Sequence, residues 1–344
     1  MPDTLTSIAA SDVRGQKQLD ALLEREGIRR DAHLDYTCGI FDDDWHLIAT
    51  GSCFHNTIRC LAVSGEHQGE GLLNRVVTHL MEVQVERGNL HVFLYTKPGS
   101  AKFFGDLGFS EIARLDELVF MENRRNGFDT YLKRLEKVST DRCAAVVMNA
   151  NPFTLGHRYL VEKAASENEC VHLFLLSEEA GPIPFVVRKR LVQEGTADLP
   201  NVIIHDSGPY IISSATFPSY FLRDEDAAIR AHAALDLTIF ARIAAAVSIS
   251  ARYVGDEPIS RVTALYNDIM AKKLPELGIG CVVVPRLEKN GRIVSASTVR
   301  QAIHDNAWES MHELVPESTW RYFTSPEAEQ VIRAICEMKN PKHY

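Results

Sequence analysis

Long apolar runs, paired cysteines and an excess of basic residues are all missing from this 344-residue sequence. The seven cysteines are scattered without any Cys-x-x-Cys spacing, which argues against a disulfide framework or a structural zinc site. No window is apolar long enough to span a bilayer, and no basic segment followed by an apolar one opens the chain, so we expect a cytoplasmic protein without a membrane partner. The formal net charge of −9 disfavours nucleic acid as a partner.

The composition that remains is ordinary for a globular protein, with 45% hydrophobic and 24% charged residues. The length allows two domains, each with its own core. A polar, locally basic stretch near the middle of the chain reads as a connector. We therefore expect a first domain over 1–128, a connector over 129–141 and a second domain over 142–344.

The first half of the chain alternates short apolar segments with turns. Tyr36–Phe41 and Leu47–Gly51 flank an acidic turn and predict a hairpin. A strand at Arg59–Val63 runs into a glycine turn and a helical pattern, and Val92–Thr96 predicts the next strand. Together with Ala101–Phe109, which reads Ala-Lys-Phe-Phe-Gly-Asp-Leu-Gly-Phe, this half resembles the GNAT acetyltransferase family.

The glycine turn of this half spans Gln68–Leu73 and reads Gln-Gly-Glu-Gly-Leu-Leu. In the GNAT family the matching turn usually reads (Arg/Gln)-x-x-Gly-x-(Gly/Ala) and cradles the pyrophosphate of coenzyme A. The resemblance implies that Gln68, Gly69 and Gly71 hold a coenzyme A-like arm. Leu73 departs from the family pattern, where a small residue is usual, and this points away from ordinary acetyl-CoA chemistry. A purely structural turn is the alternative.

The second half alternates strands and helices. Its apolar strands are predicted at Cys170–Leu176, Val202–His205, Arg252–Gly255 and Cys281–Val284. Such alternation predicts parallel βαβ units in a Rossmann-like, doubly wound sheet, with ligands bound at the carboxyl ends of the strands. The predicted fold class is therefore α/β, with a GNAT-like first domain and a nucleotidyltransferase-like second domain.

A sharp turn opens this second half. Ala144–Met148 predicts a buried strand, an Asn-Pro step ends it, and Thr154 can cap a helix whose first turn contains Gly156 and His157. A helix start presents unpaired backbone N–H groups that attract phosphate. Gly156 would let the phosphate approach the backbone, and His157 could stabilise charge developing on a bridging oxygen. The alternative is that Thr154 is only a cap and His157 a surface or core-edge histidine.

The residues of this turn also carry a family resemblance. Asn151–His157, Asn-Pro-Phe-Thr-Leu-Gly-His, resembles the (His/Thr)-x-Gly-His signature of the nucleotidyltransferase superfamily. The resemblance implies binding of ATP phosphates, with Thr154 and His157 in catalysis and Asn151, Phe153 and Gly156 in nucleotide binding.

A second phosphate turn is predicted near the end of the chain, at Val294–Arg300. Ser297 or Thr298 can cap the helix that begins there, and Arg300 lies along the same face. The segment Val-Ser-Ala-Ser-Thr-Val-Arg resembles the second superfamily signature, Ile-Ser-Ser-Thr-x-x-Arg. The resemblance implies that this helix start, including Ser295, holds the β- and γ-phosphates and that Arg300 pairs with them in catalysis.

Three further stretches are expected near these turns. Arg188, at a helix start, could reach a phosphate or a carboxylate. Gly255 ends a strand and would let adenosine approach, while Asp256 or Glu257 could hold a magnesium-bound water or a ribose hydroxyl. The aromatic, hydroxyl-rich stretch Ser207–Phe221 is predicted to be a lid or an acceptor pocket, with a satellite core as the alternative.

Taken together, the first phosphate turn, the aromatic stretch and the segment Arg252–Pro258 resemble one family, the citrate lyase ligases. The resemblance implies an ATP- and Mg²⁺-dependent enzyme. It would convert acetate and ATP into acetyl-adenylate and pyrophosphate. The acetyl group would then pass to the thiol of a dephospho-CoA-like prosthetic group on the acyl carrier subunit of citrate lyase, with release of AMP.

Two alternatives share the phosphate turns. A cofactor adenylyltransferase of the pantetheine-phosphate or nicotinamide-mononucleotide type would join AMP to a phosphate instead of a carboxylate. A regulatory module would bind ATP in the second half and acetyl-CoA in the first without turnover.

Overall fold

The structure is a computed structural model that describes residues 3–138, 140, 142–179, 181–211, 217, 225–256 and 261–341. It forms two compact units, Met1–Thr130 with Thr216–Leu235, and Tyr131–Ala215 with Asp236–Tyr344. The helix α4, Gly127–Arg134, covers part of the predicted connector. The domain borders at 128 and 142 remain a prediction.

The first unit is built on a mixed sheet. Its elements are β1 Thr4–Ser7, α1 Val13–Arg25, β2 Tyr36–Phe41, β3 Leu47–Phe54, β4 Thr57–Val63, α2 Leu72–Glu86, β5 Phe93–Thr96, α3 Ala101–Asp106, β6 Ser110–Arg114 and β7 Val119–Glu122. The strand order is β1-β2-β3-β4-β5-β7-β6. Neighbouring strands are antiparallel except β4 and β5, which are parallel and pair only at Thr57↔Phe93 and Ile58↔Leu94. The α/β arrangement expected here is confirmed.

The glycine turn of this unit leads directly from β4 into α2. Gly69 and Gly71 have φ angles of 91° and 75°, a region that favours glycine, and both are exposed. Gly71 is the N-cap of α2 and supplies no side-chain cap. Leu73 is half-buried and packs against the hydrophobic core of this unit. Its bulk therefore serves the core, which gives a physical reason for the departure from the family pattern.

The second unit is built on a parallel sheet. Its elements are β8 Cys143–Met148, α5 Leu155–Glu167, β9 Cys170–Leu175, α6 Phe185–Gly195, β10 Val202–Asp206, β11 Ile249–Gly255, α8 Arg261–Glu276, β12 Gly280–Val284, β13 Glu288–Lys289, β14 Arg292–Ile293, α9 Ala296–His304, α10 Trp308–His312, α11 Glu317–Phe323 and α12 Glu329–Glu337. The helix α7, Glu225–Ala246, is divided between the two units, with the border between Leu235 and Asp236. The five long strands have the order β10-β9-β8-β11-β12 and are parallel throughout. The predicted Rossmann-like sheet is confirmed.

This strand order places the predicted phosphate site. β8 is central, the chain first winds outward through β9 and β10, and then continues on the other side of β8 through β11 and β12. The winding direction thus reverses between β8 and β11, and ligands of such sheets bind beside this point, beyond the carboxyl ends of the strands. Those ends are Met148, Gly255 and Val284.

The core of the second unit lies between one face of this sheet and the helices that include α5, α6, α9 and α11. Val146, Leu173, Phe153, Val299 and Phe323 are among its buried members. The sheet is apolar because its strands are covered, as parallel strands usually are. Burial of this face fixes the direction in which α5 and α9 leave the sheet, and so fixes the two helix starts.

Some elements were not anticipated from the sequence: α1, the two-residue strands β13 and β14, and the C-terminal helices α10 and α12. β13 and β14 are too short to carry a pattern, whereas α1 and α12 are amphipathic and their periodicity could have been recognised. β11 begins at Ile249, three residues before the predicted start, because Ile249 pairs with Cys143 across an irregular register.

Candidate active site

The first phosphate turn is held by reciprocal bonds between Thr154 and His157. Thr154, with extended backbone angles, is the N-cap of α5, and its hydroxyl accepts the backbone N–H of His157 at 3.3 Å. The backbone N–H of Thr154 donates in return to Nδ1 of His157 at 3.1 Å. The predicted cap is therefore present, and the same bonds fix the imidazole, as in a capping box.

These bonds also assign the proton of His157. Because Nδ1 accepts from a backbone N–H, the proton of the neutral ring resides on Nε2. Burial, and then the nearby positive charges of Arg286 and Arg300, lower the pKa of His157 to about 4. His157 is thus a neutral imidazole near pH 7, with Nε2–H as a hydrogen-bond donor.

Gly156 has a packing role that the sequence did not reveal. A Cβ at this position would lie 2.5 Å from the carbonyl oxygen of Val294. The start of α5 therefore contacts the segment that leads into α9, and only glycine permits this approach. Gly156 brings the two phosphate turns together in addition to lining the cavity between them.

Asn151 and Phe153 support this turn from within. Phe153 is fully buried and stacks against His157, with ring centroids 6.0 Å apart. Its carbonyl oxygen accepts from the hydroxyl of Thr319 at 2.8 Å. Asn151 is 2% exposed, and among the residues that the structure describes neither its amide oxygen nor its amide nitrogen has a hydrogen-bond partner. A buried amide without partners is costly, so this one is suited to a polar ligand.

The second turn is capped by a different residue from the two predicted. Ser295, not Ser297 or Thr298, is the N-cap of α9, because its backbone is extended and its hydroxyl accepts the N–H of Thr298 at 3.1 Å. Ser297 and Thr298 lie inside the first helical turn. Their hydroxyls are 2.9 Å and 2.8 Å from that of Ser295, so the three form one cluster.

Arg300 joins the two turns. Its guanidinium is 3% exposed and donates to the carbonyl oxygen of Asn151 at 2.5 Å and to that of Pro341 at 2.7 Å. The predicted position beside the phosphate turns is therefore found, but these donors stabilise backbone. Direct pairing of Arg300 with phosphate remains a prediction.

Arg188 is fully buried and donates to five oxygen atoms. Four are the carbonyl oxygens of Asn149, Leu176, Glu178 and Ile183, and the fifth is the side-chain oxygen of Asn149. Arg188 does not line either of the two cavities described next. It stabilises the loops that follow β8 and β9, and its contact with phosphate stays a prediction.

Two adjoining cavities lie at the carboxyl ends of β8, β11 and β12. One, of about 390 Å³, is lined by residues that include Thr154, Gly156, His157, Gly255 and Ser295. The other, of about 1000 Å³, is lined by residues that include Asn151, His157, Ser295, Ser297, Thr298 and Arg300. His157 and Ser295 border both cavities. The structure thus brings most of the predicted nucleotide-binding residues together.

Arg286 lines both cavities and was missed by sequence reasoning. It follows β12 by two positions, and its Nε donates to the carbonyl oxygen of Asp256 at 2.5 Å. Gly255 was predicted because ligands bind at the carboxyl ends of the strands. The same rule could have identified Arg286, which follows the predicted strand Cys281–Val284. Lys289 and Arg292, in the hairpin β13–β14, line the larger cavity and add positive charge.

The roles expected of three further regions remain predictions. Asp256 is exposed and absent from both linings, and Glu257 lies outside the described residues. Of the stretch Ser207–Phe221, residues 212–216 and 218–221 also lie outside them. Gln68, Gly69 and Gly71 belong to the first unit, and their binding of a coenzyme A-like arm remains a prediction.

The sequence matches the family model described as the citrate lyase ligase C-terminal domain, over residues 143–323. A [citrate [pro-3S]-lyase] ligase of Escherichia coli K12 is 35% identical over 98% of this chain and 99% of its own length. The chain belongs to the citrate lyase ligase family. Another relative of the same name, from Klebsiella pneumoniae, is 39% identical over 79% of this chain and 82% of its own length.

Membership of the citrate lyase ligase family confirms the predicted family and the predicted enzyme class, a ligase. Solved structures that are similar include Escherichia coli ElaA, with 14% identity and a TM-score of 0.31 over 36% of this chain and 99% of that chain. An acyl-CoA N-acyltransferase of Pseudomonas aeruginosa shows 15% identity and a TM-score of 0.32, again over 36% and 99%. Likenesses of this size say nothing about activity.

Within the part of the chain that the structure describes, none of the helices combines the length and apolar character needed to cross a bilayer.

Proposed function

We propose that this protein activates citrate lyase by ATP-dependent acetylation of its acyl carrier subunit. Acetate attacks the α-phosphorus of ATP, and acetyl-adenylate and pyrophosphate form. The carrier thiol then attacks the acetyl carbon, giving the acetyl thioester and AMP. The main support for this proposal is that two capped helix starts and a neutral histidine border the same pair of cavities. The relatives of this chain are [citrate [pro-3S]-lyase] ligases.

The first step requires little covalent chemistry from the protein itself. It needs in-line placement of the carboxylate and stabilisation of the charge that develops on the leaving pyrophosphate. Nε2–H of His157 and the N–H groups at the starts of α5 and α9 are donors of the required kind. The partnerless amide of Asn151 would gain hydrogen bonds from the nucleotide.

The three arginines take different parts in this proposal. Arg286 borders both cavities and would neutralise the polyphosphate directly. Arg300, which donates to the carbonyl of Asn151, holds the two turns in register and adds its charge to the site. Arg188 acts indirectly, because its guanidinium donates to two oxygen atoms of Asn149 and so stabilises that loop.

Magnesium is proposed to enter with ATP, where it would neutralise part of the charge on the phosphates. Asp305 and Glu313 are the carboxylates that line the larger cavity, and they are the residues that would hold the water ligands of the ion. This choice of residues differs from the sequence expectation of Asp256 or Glu257.

For the second step we propose that the GNAT-like domain, 1–128, receives the dephospho-CoA-like arm of the carrier at Gln68, Gly69 and Gly71. The connector, 129–141, leads to the ligase domain, 142–344. The open glycine turn supports this reading, because no atom lies within 4 Å of a Cβ built at Gly69 or Gly71. Backbone there remains accessible to a ligand.

The test is ATP–pyrophosphate exchange measured with a panel of carboxylates, with and without carrier protein bearing the thiol arm. We expect exchange that depends on acetate, and release of free AMP only when the thiol is added. Transfer of AMP to a phosphate acceptor would instead identify a cofactor adenylyltransferase. Tight ATP binding without pyrophosphate release for any acceptor would identify a regulatory module.

A further inference from the structure

A cluster of soft ligands lies in the second unit, away from the nucleotide cavities. Cys143 and Cys170 are the first residues of β8 and β9, and they are direct partners in the parallel register. His172 follows Cys170 by two positions, so its side chain lies on the same face of the sheet. All three residues are buried, with exposures of 0%, 2% and 0%.

The donor atoms of these residues are grouped together in space. The two Sγ atoms and an imidazole nitrogen all lie within 4.8 Å of one another. Sγ of Cys170 is 3.6 Å from Nε2 of His172. In a tetrahedral zinc site, Zn–S of about 2.3 Å and Zn–N of about 2.0–2.1 Å place sulfur and nitrogen about 3.5–3.6 Å apart.

The other nitrogen of His172 is also held as in a metal site. Nδ1 of His172 lies 2.9 Å from Nε2 of His205, a residue of β10 that is 8% exposed. A histidine that binds a metal through Nε2 carries its proton on Nδ1, and a neighbouring acceptor usually orients it. Nε2 of His205 can accept that proton when its own ring carries the proton on Nδ1, so the tautomer of His172 required for binding has a partner in place.

We propose that Cys143, Cys170 and His172 form a binding site for one Zn²⁺ ion. Two thiolates and a neutral imidazole balance the charge of a divalent ion, whereas monovalent copper would leave a net negative charge in a buried site. The carbonyl oxygen of Thr140 lies 3.6 Å from Sγ of Cys143 and is the candidate fourth ligand. Binding replaces the two thiol protons, which pass to solvent.

The position in the sheet assigns this site a structural role. Cys143 and Cys170 begin their strands, whereas the phosphate turns follow the strand ends, so the ion would join β8 and β9 at the far edge from the nucleotide. A site closed by protein ligands serves stability. The sequence argued against a zinc site because the two cysteines lie on different strands and have 26 residues between them. The parallel pairing of β8 with β9 brings them side by side.

The experiment measures zinc in the purified full-length protein after equilibration with Zn²⁺ and removal of loosely bound ion. We expect about one zinc per chain in the wild type, and a loss of about tenfold or more in Cys170→Ser and in His172→Gln. The matched control is Cys281→Ser, which alters a half-buried cysteine on β12 of the same sheet and should leave the zinc content unchanged.

Cobalt gives a second readout that does not depend on the stability of the variants. Wild-type protein loaded with Co²⁺ should show the near-ultraviolet charge-transfer band of thiolate–cobalt bonds and the visible bands of a tetrahedral ion. Wild-type protein with less than about one-tenth of an equivalent of zinc and no such bands overturns the proposal. Full zinc content in Cys170→Ser overturns it as well.

Discussion

Two glycine-containing turns in this protein each lead from a strand into a helix, yet they differ in their contacts. In the ligase domain the start of α5 is capped by Thr154 and lies within a cavity lining. In the first unit the N-cap of α2 is Gly71, which is exposed and has no side chain. Side-chain hydrogen bonds fix the conformation of the first turn, whereas the second turn exposes its backbone.

The difference teaches what glycine does in each turn. Gly156 is required because the carbonyl of Val294 occupies the space of a side chain. Gly69 and Gly71 have open space around them, and they are required only because their φ angles are positive. Packing therefore determines the first turn and local backbone conformation the second, and substitutions should separate the two cases.

The largest expected effect is at His157. Replacing it with alanine removes the Nε2–H donor and the bond from the backbone of Thr154. We expect acetate-dependent pyrophosphate exchange to fall about 10²- to 10³-fold, the usual loss for one transition-state donor. His46→Ala, at an exposed histidine of the other unit, is the control. Near-full exchange in His157→Ala would contradict the proposed role.

Arg286 should give the next largest loss. Arg286→Ala removes a guanidinium that borders both cavities, and charge-assisted bonds of this kind contribute about 1.5–3 kcal/mol, or roughly 10- to 100-fold in affinity. We expect a rise in the KM for ATP, measured by exchange. Arg333→Ala, an exposed arginine on α12, should leave it unchanged. An unaltered KM in Arg286→Ala would exclude contact with the polyphosphate.

The glycines test the comparison directly. Gly156→Ala must displace the Val294 segment, so we expect a loss of about 1–3 kcal/mol in the free energy of unfolding together with lost exchange. Gly69→Ala and Gly71→Ala force alanine into positive φ, at a cost of roughly 1–2 kcal/mol each, with exchange retained. Urea unfolding and exchange assays measure both. Equal effects on exchange would show that the two turns are not functionally distinct.

The smallest effect concerns pH. His157 has a pKa of about 4 in the folded chain and 6.5 as the reference for the unfolded chain, so the unfolded chain binds more protons between these values. Stability from this group is therefore complete above pH 6.5 and is lost as pH falls towards 4. The pH profile of the pyrophosphate-exchange rate should show no change near pH 6.5 that is caused by titration of His157. A ring proton of His157 that titrates near 6.5 by NMR, assigned with His157→Gln, would contradict this.

Local features of the site were predictable and distant ones were not. The strand, the Asn-Pro break and the cap at Thr154 lie within a short stretch, so their chemistry can be read in order. The cap of α9 was assigned to Ser297 or Thr298, because the sequence does not show which residue is the last with an extended backbone. Ser295 takes that place because the chain enters α9 from the hairpin β13–β14, whose two-residue strands carry no pattern.

The same distinction holds for the fold. The parallel sheet followed from the alternation of apolar strands and helices, which is a local pattern. The close approach of Gly156 to Val294 and the bonds of Arg188 to the loops after β8 and β9 depend on packing between distant segments. No short pattern encodes such contacts, so the sequence did not predict the bonds of Arg188 to backbone; its contact with phosphate stays a prediction.

The bonds of Arg300 have a practical consequence for protein engineering. One guanidinium connects Asn151, 149 positions earlier in the sequence, with Pro341, 41 positions later. A fusion partner or truncation that displaces Pro341 would therefore alter the anchoring of the nucleotide turn from a distance. Expression designs that leave the chain through Pro341 intact keep this link.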